Sequence, residues 1–261
     1  MLGYLKKVNP KVDGLSGREY NLLNPFDPNS PRIYVSDAAS DVSPDPHHDI
    51  PDTIIQQFGG LNVSTRGTPT MSGFVANGES FAKGLGVELM KCHNLKTVPV
   101  LSTLAKEFAL FNYWFPSAPA STEPNRMFLH SATSYGAGRE PGYAEMVSGY
   151  PQKTVFESLE DAGKTWKVYY AQTSTILWFE EMRKTRYWNN YWSYSRFLDD
   201  ASSGNLATYS FIEPRYFSVP FYPAEDQHPD HPVSAGEAVL KEVYEALRNS
   251  PVWNKTALLI T

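Results

Sequence analysis

The sequence predicts an α/β protein with a mostly parallel central sheet and helices on both faces. Two helix-to-strand steps carry that prediction. Thr154 to Ala162 reads as a helix stopped by Gly163, and KTWKVYY (Lys164 to Tyr170) follows as a strand. Near the C-terminal end, residues 234–249 place Val239, Leu240, Val243, Tyr244 and Leu247 on one helical face. SPVW then turns the chain, and TALLIT (Thr256 to Thr261) is a short apolar run of the kind expected in a strand buried on both faces. Repeated units of this type build parallel sheets covered by helices.

The remaining elements follow in chain order. Residues 8–75 are rich in Pro, Asp, Asn, Ser and Gly and read as turns and long loops. Within them IPDTIIQQFGG (Ile50 to Gly60) reads as a short helix, with Asp49 as its cap and the glycines as its stop. TVPVLSTLAKEFALFNYWF (Thr97 to Phe115) reads as a helix running into a strand, its part from Glu107 to Phe115 apolar and aromatic enough for a buried strand or a helix end. Residues 171–205 are irregular and aromatic and read as an insertion that caps or walls a site, or as a peripheral helix pair with an aromatic seam.

The bulk numbers narrow the function. A chain of 261 residues with 41% hydrophobic and 20% charged content is an ordinary globular protein, taken here as a single domain over 1–261. The net charge of -5 and the lack of a basic block argue against a nucleic-acid partner. A phosphate site in such a chain needs local positive charge or a metal. The aromatic share of 14% serves a large core or a lipid-facing surface equally well. One cysteine, Cys92, excludes an internal disulfide framework. No stretch is apolar for long enough to span a membrane. MLGYLKKVNP has neither an apolar core nor a cleavage site for export, which leaves the compartment open. The sequons at Asn62 and Asn254 read as chance matches.

The stretch from Ser121 to Gly138, STEPNRMFLHSATSYGAG, concentrates the chemistry. It sets Thr122 beside Pro124, Asn125 and Arg126 at an expected strand-to-helix junction. A hydroxyl there can face an anion at the helix start, but attacks only if a base or metal activates it. The alternative is a simple cap, Ser121 or Thr122, with Pro124 inside the first turn.

STEPNR followed by HSATS resembles the nucleophile segment of the phosphoesterase family that contains the non-specific phospholipases C and related acid phosphatases. SPDPHHDI (Ser43 to Ile50) resembles that family's DPxH segment, FIEPRYF (Phe211 to Phe217) its central strand, and residues 226–261 its DHP segment, helix and following strand. The four occur in family order over nearly the whole chain. The resemblance implies an alkaline-phosphatase-like fold and hydrolysis of phosphate esters through a phospho-enzyme formed on Thr122. It makes Thr122 a ligand of a divalent metal as well as the nucleophile. His48 would donate to a phosphate oxygen, and His228 would protonate the leaving alkoxide. Asn125, Arg126 and His231 would bind substrate, although Arg126 suits equally a structural pairing with Glu213. Asp226 could orient His228, and His130 would stay in the core. HHD and HPDH lack the spacing of known zinc motifs. The substrate would be a phospholipid, with peripheral membrane contact, or a small phosphate ester.

The resemblance also implies that family segments resembling ENRSFDH and YDEHGG, rich in metal ligands, lie beyond Met1 and Thr261. On that expectation the chain is incomplete at both ends, would not hold the metal stably, and would be inactive as written. Three functions stay open: a phospholipase C-like hydrolase, an acid phosphatase acting on soluble phosphomonoesters, and a catalytically inactive binding protein of the same fold.

Overall fold

The structure, a computed structural model, describes residues 2–62, 64 and 67–261. Val63 of the first sequon lies outside the described residues. The chain forms two compact units, residues 1–122 with 227–234, and residues 123–226 with 235–261.

The first unit holds a two-stranded antiparallel ribbon and short helices. β1 (Tyr20–Leu22) pairs with β2 (Arg32–Tyr34), Tyr20 opposite Tyr34. The helices are α1 (Ile50–Phe58), α2 (Phe74–Phe81), α3 (Leu85–Leu89) and α4 (Pro99–Glu107). α1 matches its expected bounds. Asp49 precedes it, and Gly59 ends it at φ 84°, a left-handed conformation that glycine adopts without steric cost. Buried Asn21 ties β1 to the start of α2. Its amide donates to the Met71 carbonyl at 2.8 Å, and its oxygen accepts from Phe74 N at 2.9 Å, which satisfies an otherwise orphaned helix donor. α2 and α3 pack at Gly78 and Gly86, where a Cβ on Gly86 would lie 2.2 Å from the Val75 carbonyl.

The second unit carries the predicted parallel sheet. Its strands are β3 (Trp166–Tyr170), β4 (Tyr191–Ser193) and β5 (Tyr209–Glu213), in the order β4-β3-β5 and all parallel. Its helices are α5 (Thr122–Ser131), which starts at the boundary residue Thr122, α6 (Tyr143–Ser148), α7 (Val155–Asp161), α8 (Tyr194–Ser203) and α9 (Val233–Arg248). Alternation along β3 sorts the core. Trp166 and Val168 face Met127 and Phe156, while Tyr169 faces Phe197, Val243 and Leu247. Helices therefore cover both faces of the sheet, as the sequence predicts. Each fully buried ring contributes about 1.5–3 kcal/mol of hydrophobic stabilisation. α7 starts at a capping box in which the Thr154 hydroxyl and Glu157 carboxylate serve each other's backbone. Pro214 follows β5 directly and cannot extend its ladder.

Three sequence expectations change. Residues 108–121 form no strand, and the rings of Phe111, Tyr113, Trp114 and Phe115 are exposed. The apolar run follows α4 as expected but meets no ladder partner, and an unpaired run of this kind does not become a strand. Among the described residues TALLIT likewise pairs with no strand. Only Leu258 packs into the core around Tyr169, and Leu259 and Ile260 stay exposed. The third change concerns residues 171–205, which are not irregular throughout. They form 3-10 turns, β4 and α8, and they bury Ile176, Phe179, Met182, Tyr187 and Phe197. Phe179, Tyr187 and Phe197 are core residues of the unit, while Trp188 stays exposed. Among the described residues no helix is long and apolar enough to cross a membrane.

Candidate active site

Two loops of the first unit bring three chemical groups together. One loop is SPDPHH before α1, and the other is QHPDH before α9. Backbone bonds fasten them to each other. Asp230 N donates to the Val42 carbonyl at 2.7 Å, and Val233 N donates to Asp41 Oδ1 at 3.0 Å. The second loop bends sharply, with Gln227 at φ 57° and Asp230 at φ 73°. Aspartate tolerates that left-handed conformation better than most residues.

His48 and His228 meet across these loops, ring centroids 6.0 Å apart and nearly edge-on. Asp45 lies between them, its Oδ2 3.8 Å from His48 Nδ1 and 3.7 Å from His228 Nε2. Each Nδ1 also faces a carbonyl of its own loop, Pro46 O at 2.7 Å for His48 and Pro229 O at 3.0 Å for His228. A carbonyl only accepts, so each neutral ring carries its proton on Nδ1 and presents Nε2 as the basic nitrogen. His231 follows in the same loop, its ring 5.9 Å from that of His228. His47 turns away and packs on the Phe81 ring at 3.9 Å. Asp45 is the residue that the sequence reading did not single out. The signal was there in DPHH, but only the tertiary meeting of the loops shows the aspartate serving both histidines.

Asp45, His48 and His228 also form a group that could hold a metal ion, one donor atom from each lying within 4.8 Å of the others. Two imidazoles and a carboxylate suit a divalent ion of intermediate softness. Asp45 Oδ1 is buried without a hydrogen-bond partner among the described residues, an orphan acceptor that a cation would satisfy. The spacing in sequence hides this group, because its donors come from two distant loops rather than from one helix.

The other residues lie on α5. Thr122 opens the helix with an exposed side chain, so the helix half of the expected junction forms. Asn125 and Arg126 lie in its first turns. Arg126 points its guanidinium to the Tyr216 hydroxyl at 2.8 Å and comes within 3.8 Å of Glu213 Oε1. The Glu213 pairing weighed from the sequence is therefore present. Glu123 stands 3.9 Å from Arg126 Nε. Burial drives its carboxyl up to about 8, against the pull of Arg126 and with the push of Glu140 and Glu213. His130 is buried between Phe156 and Phe211, ring centroids at 5.4 and 4.6 Å. Burial, aided by the charge of Arg126, lowers it to about 4.

The profile of the Phosphoesterase family matches residues 1–261. The chain belongs to the phosphoesterase family. Non-specific phospholipase C1 of Arabidopsis thaliana is 43% identical to it over 262 residues, covering 100% of this chain and 49% of the relative. Non-specific phospholipase C4 of the same plant is 40% identical over 268 residues, covering 100% and 50%. Non-hemolytic phospholipase C of Burkholderia pseudomallei is 29% identical over 207 residues, covering 63% and 28%. The chain spans about half the length of the first of these curated relatives. Family membership fits the mixed α/β architecture with its parallel sheet, and makes phosphate-ester hydrolysis the chemistry to test against the site.

Proposed function

We propose that this phosphoesterase hydrolyses phospholipid head-group esters in a phospholipase C-like reaction. The observation that carries the reading is the meeting of His48 and His228 over Asp45. Thr122 Oγ attacks phosphorus as its proton passes to a solvent water, and the bond from phosphorus to the lipid alkoxide breaks. His228, protonated on Nε2, gives that proton to the leaving alkoxide. His48, also protonated on Nε2, donates to a nonbridging phosphate oxygen, Asp45 offsets the charge on both rings, and Asn125 and His231 line the substrate. Water then displaces Thr122 from phosphorus while neutral His228 takes the water proton, the reverse of its first role, and the departing Thr122 alkoxide takes a proton back from solvent. A threonine hydroxyl is weakly acidic and needs a base or cation beside it.

A second reading rests on the orphaned Asp45 Oδ1. Asp45, His48 and His228 would hold a divalent ion, with Thr122 implied as a further ligand by the family resemblance. Such an ion supplies charge neutralisation at the phosphate oxygens. A ring nitrogen that binds metal cannot carry a proton, so the two readings of His228 exclude each other.

The deciding experiment is release of phosphocholine from phosphatidylcholine vesicles, beside p-nitrophenyl phosphate as a soluble ester, with and without added divalent ions. Thr122→Ala should lower turnover on the order of 10³-fold or more. Unchanged turnover in that variant would remove Thr122 as nucleophile. Preference for the soluble ester would favour an acid phosphatase. Binding of vesicles without hydrolysis would favour an inactive lipid-binding protein and test peripheral membrane contact directly.

A further inference from the structure

β5 ends on a carboxylate that the proposed chemistry does not use. Glu213 is its last residue, and its side chain is fully buried. Its Oε1 accepts from Thr175 N at 2.9 Å, from Thr175 Oγ1 at 2.6 Å and from the Tyr216 hydroxyl at 3.2 Å. The Tyr216 oxygen in turn accepts from Arg126 Nη1 at 2.8 Å, and the guanidinium stands 5.0 Å from the tyrosine ring centroid. Arg126 lies one helical turn after Thr122 in α5.

Burying a carboxylate and a guanidinium costs several kcal/mol each unless they are paired. A helix that needed only to cover the sheet would do so with apolar side chains, as Met127 does beside Arg126. The relay instead links the opening turn of α5 to the carboxyl end of β5. In parallel sheets that end is where ligands gather. Charge-assisted bonds and a planar guanidinium fix direction as well as distance.

We propose that Glu213 and Tyr216 are positioning residues which, acting through Arg126, hold the first turn of α5 in the orientation that aims the Thr122 hydroxyl. The inference rests on Thr122 being the nucleophile. It commits Arg126 to the protein rather than to the substrate phosphate.

Tyr216→Phe tests this most cleanly, since it keeps the ring beside the guanidinium and removes only the hydroxyl. Glu213→Gln is the second variant, keeping an acceptor for Thr175 while removing the charge. Amide hydrogen exchange at Arg126 to His130 should quicken at least about tenfold in both, with exchange in β3 unchanged. For the phosphatidylcholine assay, kcat should fall about 100-fold with KM held within about twofold, as a misaimed nucleophile requires. Unchanged exchange in α5 would overturn the relay. So would unchanged kcat with a raised KM and weaker binding of inorganic phosphate, because that pattern means Arg126 touches substrate. Turnover that Thr122→Ala leaves unchanged would overturn the Thr122 reading alone, and the exchange result would still decide whether the relay holds the helix.

Discussion

The Asp45 carboxylate lies 3.7 Å from His228 Nε2, on a ring whose Nδ1 is already committed to the Pro229 carbonyl. The same carboxylate oxygen lies 3.8 Å from His48, so one charge serves two rings from distant parts of the chain. Groups sharing one partner act as a unit, and their deletions do not add.

Kinetics should show that coupling. His228→Ala should lower turnover of the phosphate ester by about 10²- to 10⁴-fold, the usual contribution of a positioned acid–base group. Asp45→Asn should cost about tenfold through both rings. The double variant should be little worse than His228→Ala, because the aspartate then has one less ring to serve. Fully multiplicative losses in kcat/KM would show that Asp45 acts independently.

Calorimetric titration with zinc or manganese separates the two readings of the triad. If the triad holds a cation, binding should weaken about 10- to 100-fold or more in Asp45→Asn and be lost in His48→Ala. If it serves phosphate and proton transfer, the wild type and both variants should bind these ions equally weakly.

The second unit offers a stability test independent of function. Asp200 is buried and accepts from the Tyr169 hydroxyl at 2.7 Å, from Arg196 Nε at 2.8 Å and from Lys167 Nζ at 2.5 Å. Burial pushes its carboxyl up, but the hydrogen bonds from Lys167, Tyr169 and Arg196 prevail and hold it below the usual range. Asp200→Ala leaves the half-buried Lys167 and the Tyr169 hydroxyl without this acceptor. The variant should lose about 3–5 kcal/mol in urea denaturation, as broken buried pairs do. A loss under about 1 kcal/mol would mean that water replaces the carboxylate at this site.

Local chemistry made much of the second unit legible in the sequence. Gly163 stops α7, the apolar stripe of Val243 and Leu247 marks α9, and the dense Trp166–Tyr170 run marks β3. Phe108 to Phe115 and TALLIT carry an equally strong apolar signal but form no strand, because a strand exists only where a neighbour completes its ladder, and composition does not report neighbours. The site divides in the same way. His48 and His228 stood out as residues in segments resembling known motifs. Asp45 did not, because its role arises only where Asp230 N meets the Val42 carbonyl and the loops close.

His130 provides the last prediction, on the response of stability to pH. Both of its ring nitrogens are buried without a hydrogen-bond partner among the described residues, and burial, followed by the nearby charge of Arg126, holds it at about 4. The ordinary value is near 6.5, so as pH falls below about 6.5 the unfolded chain takes up a proton that the native core refuses. The native state binds fewer protons in that window, and stability present above it is lost steadily until about pH 4, where the native ring also titrates. The gap corresponds to about 3 kcal/mol. His130→Phe puts a ring of similar shape against Phe156 and Phe211 and removes the titration. Urea denaturation at about pH 7.5 and about pH 4.5 should therefore show the wild type losing about 2.5 kcal/mol more than the variant between the two conditions. Parallel losses in the two proteins would assign the acid sensitivity to other groups and leave His130 a neutral packing residue.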